Sequence, residues 1–213
     1  IILINTHVMI QALKDFANHV GCSITVISHG KLALNKYMAS AIKNGLNVWS
    51  DCAFMVVNMG YHITDILVIK SGSILSHHSM SITYETFLLN VIVYLKHQHN
   101  VRIDESIAKR ILDAVCSVSP MQKDSPTKCI VVGPNKSTSL PMRIPLSYED
   151  IANCLYSDIE KFGCILTRII DSMTANVKAN IYEYGIQFTG DGTSLRGMAQ
   201  HFEDAINIPC YWV

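Results

Sequence analysis

Two strands that end in glycine turns, far apart in the chain, do most to limit what this sequence can fold into. The first is Phe54-Met-Val-Val-Asn-Met-Gly60, an apolar run that turns tightly at Gly60 and continues as a second apolar strand to Ser71-Gly72. The second is Gly185-Ile-Gln-Phe-Thr-Gly190-Asp-Gly-Thr-Ser-Leu195-Arg-Gly-Met. It reads as a buried strand (Ile186, Phe188), a turn at Gly190 and Gly192, then a helix opened by Thr193 or Ser194. A strand that breaks at glycines and restarts as a helix lets backbone N–H groups face an anion, commonly a phosphate. By itself that pattern is weak, because many αβ proteins turn through Gly-Asp-Gly and bind nothing there.

The rest of the chain alternates strands and helices. Ile1 to Ile4 reads as a core strand, 8–20 as a helix with apolar residues at Ile10, Leu13, Phe16, Ala17 and Val20, stopped by Gly21. Residues 23–28 form a short strand and 31–44 a helix closed by Gly45. Three strands follow over 54–82, then helices at about 84–98 and 104–117, with a polar loop at 119–125 around Pro120. Cys129 to Val132 and Met142 to Ile144 read as hairpin strands. Ser147 with Asp150 is an N-cap pattern for a helix to about Ser172, with one apolar stripe from Ile151 to Ile169. Strand 186–189, turn 190–194, helix 195–205 and strand 208–213 close the chain.

Composition narrows the class. At 213 residues and 49% hydrophobic, the chain can bury a substantial core in one or two domains. Seventeen basic and seventeen acidic residues cancel, so no global field favours nucleic acid or anionic lipid. The charged fraction of 16% is low for an isolated soluble monomer and points to surface covered by other chains or further segments. Seven cysteines include no CxxC pair, and the nine histidines lack zinc-protease spacing, so no metal site is expected. Reduced cysteines in apolar runs suit a cytoplasmic setting, and no apolar stretch reaches the ~20 residues of a membrane span.

Taken together, the two glycine segments resemble the phosphate hairpin and the adenosine-side turn of the actin, Hsp70 and sugar-kinase ATPase fold. Within it they most resemble the MreB family of bacterial actins. That family carries Met-Val-Val-Asp-Ile-Gly-Gly-Gly-Thr-Thr at the hairpin, matched by Met55 to Thr64. It carries Leu-Thr-Gly-Gly-Gly-Ala-Leu-Leu-Arg-Gly at the later turn, matched by Phe188 to Gly197. Asn100 to Pro120 matches the loop and helix that contact adenosine, Thr138 to Pro141 a Thr-Gly-Leu-Pro hairpin, and Ser147 to Met173 the long following helix. The resemblance implies a partial α/β actin-like (ribonuclease H-like) fold. Residues 51–85 with 146–213 would form a large subdomain, 86–145 a small inserted one, and 1–50 a remnant of the other large subdomain. Set against the family, the N-terminal third and closing helix are missing, so both ends read as those of a fragment.

The resemblance also implies a site, and most of its residues are changed. The family's magnesium-holding carboxylate is matched by Asn58, an amide with no charge to offset a hard cation. Its three glycines are Gly60, Tyr61 and His62. The threonine that positions the attacking water is Ile63, with Thr64 retained beside it. The water-polarising glutamate falls at Met9, and a following Glu-Glu-Pro becomes His29-Gly30-Lys31. The adenosine-side glutamate and lysine become Lys109 and Leu112, and a Gly-Gly-Asp becomes Thr83-Tyr84-Glu85. The later turn keeps Gly190, Gly192, Thr193 and Ser194, with Asp191 in place of a glycine. A carboxylate facing a phosphate there repels it by ~1 to 4 kcal/mol at 4 Å. Phosphoryl transfer in such sites depends on positioned charge.

The favoured reading is therefore a cell-shape filament or scaffold protein that self-associates or joins other actin-like subunits. Mg2+-ATP would be bound weakly or not at all. It would be cytoplasmic, with scaffold partners and contact with the inner membrane face implied only by the family. The alternative is an ATPase that hydrolyses slowly when complete; a sugar-kinase or chaperone relative is the third class.

Overall fold

The computed structural model describes residues 15, 19, 52–115, 128–195 and 197–212. The strands and helices expected over 1–50, the candidate Met9 and the loop at 119–125 lie outside these residues, apart from Asp15 and His19, which are helical and exposed. A five-stranded mixed sheet runs in the order β3-β2-β1-β6-β7. Strands β1 (Ala53–Met59), β2 (Thr64–Lys70) and β3 (Ser73–Met80) form an antiparallel meander. Strand β6 (Ile186–Gly190) lies parallel to β1, and β7 (Cys210–Trp212) parallel to β6. The two glycine-ended strands are thus neighbours in one sheet, as the resemblance requires.

The continuous apolar runs of β1 and β2 have a physical reason. Met55, Val57, Ile66, Val68, Ile186 and Phe188 share one face and belong to the main core, while the alternating Phe54, Val56, Leu67 and Ile69 are equally buried. Strands covered on both faces lose the polar alternation of a half-exposed sheet.

Helices α1 (Tyr84–Gln98) and α3 (Tyr148–Asp171) each open with a capping box, Thr83 with Thr86 and Ser147 with Asp150. Asn90 of α1 donates to Asp158 of α3 at 2.8 Å, and Tyr94 to Asp150 at 3.2 Å. The apolar stripe of α3, from Ile151 to Ile170, is buried along its length. Helix α2 (Glu105–Val115) packs on α1 and on a separate two-stranded sheet, β4 (Lys128–Pro134) with β5 (Pro141–Ser147).

Helix α4 (Ala175–Tyr184) is absent from the sequence expectation. Its amphipathic signal is thin: Val177 and Ile181 are its buried residues, and Thr174 makes no side-chain cap bond. The usable signal is the stop at Gly185, whose φ of 79° suits glycine. The last helix also corrects the expectation. Residues 191–194 form one 3-10 turn, and α5 (Met198–Ile206) starts after Gly197, which has φ 75° and makes no side-chain cap. Thr193 and Ser194 therefore belong to the turn and do not open the helix. Phe202 of α5 stacks on Phe188 at 5.7 Å and meets Phe162 of α3 at 5.2 Å, with Phe188 at 5.1 Å from Trp212.

Candidate functional site

Parallel pairing of β1 with β6 sets Met59 beside Gly190 and Asn58 beside Thr189. The hairpin turn 60–63 and the turn 190–194 therefore emerge together at the carboxyl ends of adjacent parallel strands. This is the edge where open αβ sheets form ligand crevices. Gly190 sits at φ 97°, and a Cβ there would lie 2.5 Å from the Met59 carbonyl oxygen and 3.0 Å from Asn58 Oδ1. A Cβ on the buried Gly192 would meet Met59 Sδ at 2.3 Å. These two glycines are retained because the later turn lies directly on the end of β1. The half-buried Asn58 points its amide against Gly190.

The hairpin turn is tight: the Gly60 N–H donates to the Ile63 carbonyl at 3.0 Å. Ile63 is half-buried, and Thr64 is fully buried with its hydroxyl donating to the Ile82 carbonyl at 2.7 Å. Tyr61 and His62 turn toward the helices. The Tyr61 hydroxyl donates to Glu105 Oε2 at the start of α2, and His62 Nδ1 bonds Glu85 Oε2 in the first turn of α1 at 2.9 Å. The two rings meet edge to face at 4.7 Å, and Tyr61 also contacts Tyr84 at 6.2 Å. The first N–H groups of α1 are engaged as well. Tyr84 N–H donates to the Gly60 carbonyl at 3.2 Å, Glu85 N–H to the Tyr61 carbonyl at 3.1 Å, and Thr86 N–H to the Thr83 hydroxyl at 3.4 Å.

Tyr61 also reports the local field. Its hydroxyl is pushed up to about 12, first by the hydrogen bond to Glu105, then by loss of water, then by the charges of Glu105 and Glu85. A negative surround of this kind is opposite in sign to a phosphate cradle. Asp191 is exposed in the later turn.

The two residues that the resemblance matches to the family's adenosine side divide. Lys109 is exposed and one helical turn from Glu105, on the face that Tyr61 reaches, whereas Leu112 is fully buried in the core. Backbone positions of Thr193 and Ser194 complete the 3-10 turn. Sequence reasoning did not single out Glu105, and it named Glu85 only as a replacement. It also missed Asp65, fully buried on β2, which accepts from Ser79 Oγ and His77 Nε2, both at 2.7 Å. A lone acid inside an apolar strand opposite Ser-His-His-Ser was the available signal. Cavities of about 460 and 290 Å3 lie elsewhere, between α3 and α5 beside Phe202 and between α2 and β4 beside Val132.

A family model described as MreB/Mbl protein matches residues 3–213. The cell shape-determining protein Mbl of Bacillus subtilis is 24% identical over 170 residues, 80% of this chain and 50% of that protein. The cell shape-determining protein MreB of Escherichia coli K12 is 24% identical over 204 residues, 96% of this chain and 56% of that protein. The chain thus spans about half the length of these relatives. Among solved structures, MreB 5 of Spiroplasma citri bound to AMPPNP superimposes with a TM-score of 0.83 at 21% identity, covering 98% of this chain and 60% of that one. The MamK filament gives 0.67 at 13% identity, covering 96% and 60%. With a family match along nearly its whole length, and paired glycine turns on an actin-like sheet, the chain belongs to the MreB/Mbl family.

Proposed function

We propose that this chain serves as a cell-shape filament or scaffold subunit whose nucleotide site has been given over to internal contacts. The observation that carries the reading is the hairpin turn. Tyr61 and His62 stand where the family has glycines, and Glu85 and Glu105 surround them, 2.9 Å from His62 in the case of Glu85. The N–H groups of Gly60, Tyr84 and Glu85 already donate within the chain. Asn58 brings no charge to a magnesium ion, and the Thr64 hydroxyl is committed to Ile82. These residues do not fit a magnesium triphosphate, and no hydrolytic step is assigned to them. Residues 51–85 with 146–213 are read as the large subdomain, 86–145 as the small one and 1–50 as part of the opposite subdomain. Self-association is supported by the filaments that MamK forms. Cytoplasmic placement follows from the reduced-cysteine reading. Scaffold partners and contact with the membrane's inner face follow the family.

Calorimetry with Mg-ATP tests the site. Losing the metal carboxylate and the adenosine pair each removes ~1 to 3 kcal/mol, so affinity is expected at least ~100-fold below that of an intact site. A micromolar dissociation constant overturns the reading. Sedimentation with and without Mg-ATP tests the assembly; equal pelleting is expected, and pelleting only with nucleotide overturns it.

A further inference from the structure

We propose that Tyr61 and His62 form an internal latch that ties the sheet's hairpin turn to the starts of α1 and α2, holding without ligand a junction that a bound nucleotide would otherwise bridge. The inference rests on the reading of this turn as a converted nucleotide site and adds what the replacement residues do.

The contacts have a consistent direction. At the backbone, α1 begins on the turn, with Tyr84 and Glu85 N–H groups donating to the Gly60 and Tyr61 carbonyls at 3.2 and 3.1 Å. Glycines at 61 and 62 would leave those bonds possible, since they use main-chain oxygens. The two side chains add what glycine cannot. His62 doubles the attachment to α1 through Glu85, and Tyr61 extends it to a second helix through Glu105. Glu105 opens α2 just after Asp104, which caps that helix by accepting the Ile107 N–H at 2.9 Å. Tyr61 therefore fixes a helix end that is already well formed, not a frayed one. Its ring is half-buried against the core and in edge contact with His62, which limits the rotamers of both.

The consequence is mechanical. Helix α2 carries the β4–β5 sheet on its other side, where Val131, Ile111 and Leu112 are buried. A strut from the sheet turn to the first residue of α2 sets where that smaller sheet stands relative to the five-stranded one. Such a strut works at every ordinary pH, because the Tyr61 hydroxyl stays protonated up to about 12.

Amide hydrogen exchange on the full chain, read without nucleotide, tests the latch. Tyr61→Phe keeps the ring and removes the hydroxyl; His62→Ala removes the second contact. In the double variant, exchange at Tyr84, Glu85 and Ala108 is expected to rise about 5- to 10-fold, as loss of hydrogen bonds to charged partners implies. Amides of α3 serve as the reference and should stay unchanged. Combining Tyr61→Phe with Glu105→Ala should add nothing beyond Glu105→Ala alone, because each change removes the same hydroxyl–carboxylate contact. Unchanged exchange at the three amides, or an equal rise throughout α3, overturns the latch. A latch that fails here leaves the nucleotide reading standing, and a tight ATP complex overturns that reading without bearing on this measurement.

Discussion

At the scale of single residues, the site's two kinds of position respond differently to change. Gly190 is held by geometry: a side chain there is strained at φ 97° and runs into the Met59 carbonyl at 2.5 Å. Gly190→Ala should therefore lower stability by about 2 to 4 kcal/mol, read from denaturant midpoints. A change under 0.5 kcal/mol would mean that β1 and the later turn are not in contact. Tyr61 responds to pH instead. Its folded value of about 12 lies above the ordinary 10.0, so its contribution is full below pH 10 and is lost as pH rises from 10 to 12. Cys210, raised by burial and by Glu203 to about 12 from 9.0, adds a slope of the same sign. The difference between the parent chain and Tyr61→Phe isolates the tyrosine: melting temperatures should converge between pH 10 and 12. Parallel curves over that range would contradict the Glu105 bond.

At the scale of elements, local signals decided what could be foreseen. Helix α3 has an N-cap, a reciprocal acid and an unbroken apolar stripe, all agreeing, and its observed start matches its sequence signal at Ser147. Ser147→Ala should cost about 1 kcal/mol in thermal denaturation, whereas Thr174→Ala before α4 should stay within about 0.5, because Thr174 makes no cap bond. The same contrast explains legibility. The three-strand meander, α1, α2 and the β4–β5 hairpin were readable because turn residues and apolar runs alternate cleanly. Helix α4 was not, because it is held by packing against β1 and by Asn180 accepting the Ala53 N–H at 3.2 Å. Those are tertiary contacts with no local pattern. In the site, Asn58, Gly190 and Gly192 were legible as positions. The directions taken by Tyr61 and His62 were not, since they depend on Glu85 and Glu105 arriving from two helices.

At the scale of the molecule, the question is whether the smaller sheet stands apart or shares the main core. The hydrogen-bonded sheets are separate, yet burial is not. Val131, Ile144 and Leu146 of β4–β5 join Leu112, Leu95 and Phe162 in one continuous cluster that reaches Phe188 and Phe202. Elements that bury side chains in one core lose that burial together, so the described residues should unfold as one cooperative unit. Phe202→Ala, which empties the contact among α5, α3 and β6, should lower stability by about 3 to 5 kcal/mol. Ile144→Ala, far from it in the smaller sheet, should lower the same transition by about 2 to 4 kcal/mol, not release an earlier one. For a chain of this size each kcal/mol shifts the midpoint by about 2 to 4 °C, which calorimetry resolves. A second, lower-temperature transition appearing only in Ile144→Ala would mean that the hairpin and α2 fold on their own. In that case the strut from Tyr61 would join two independently stable bodies, and cutting it would change their spacing without changing the stability of either.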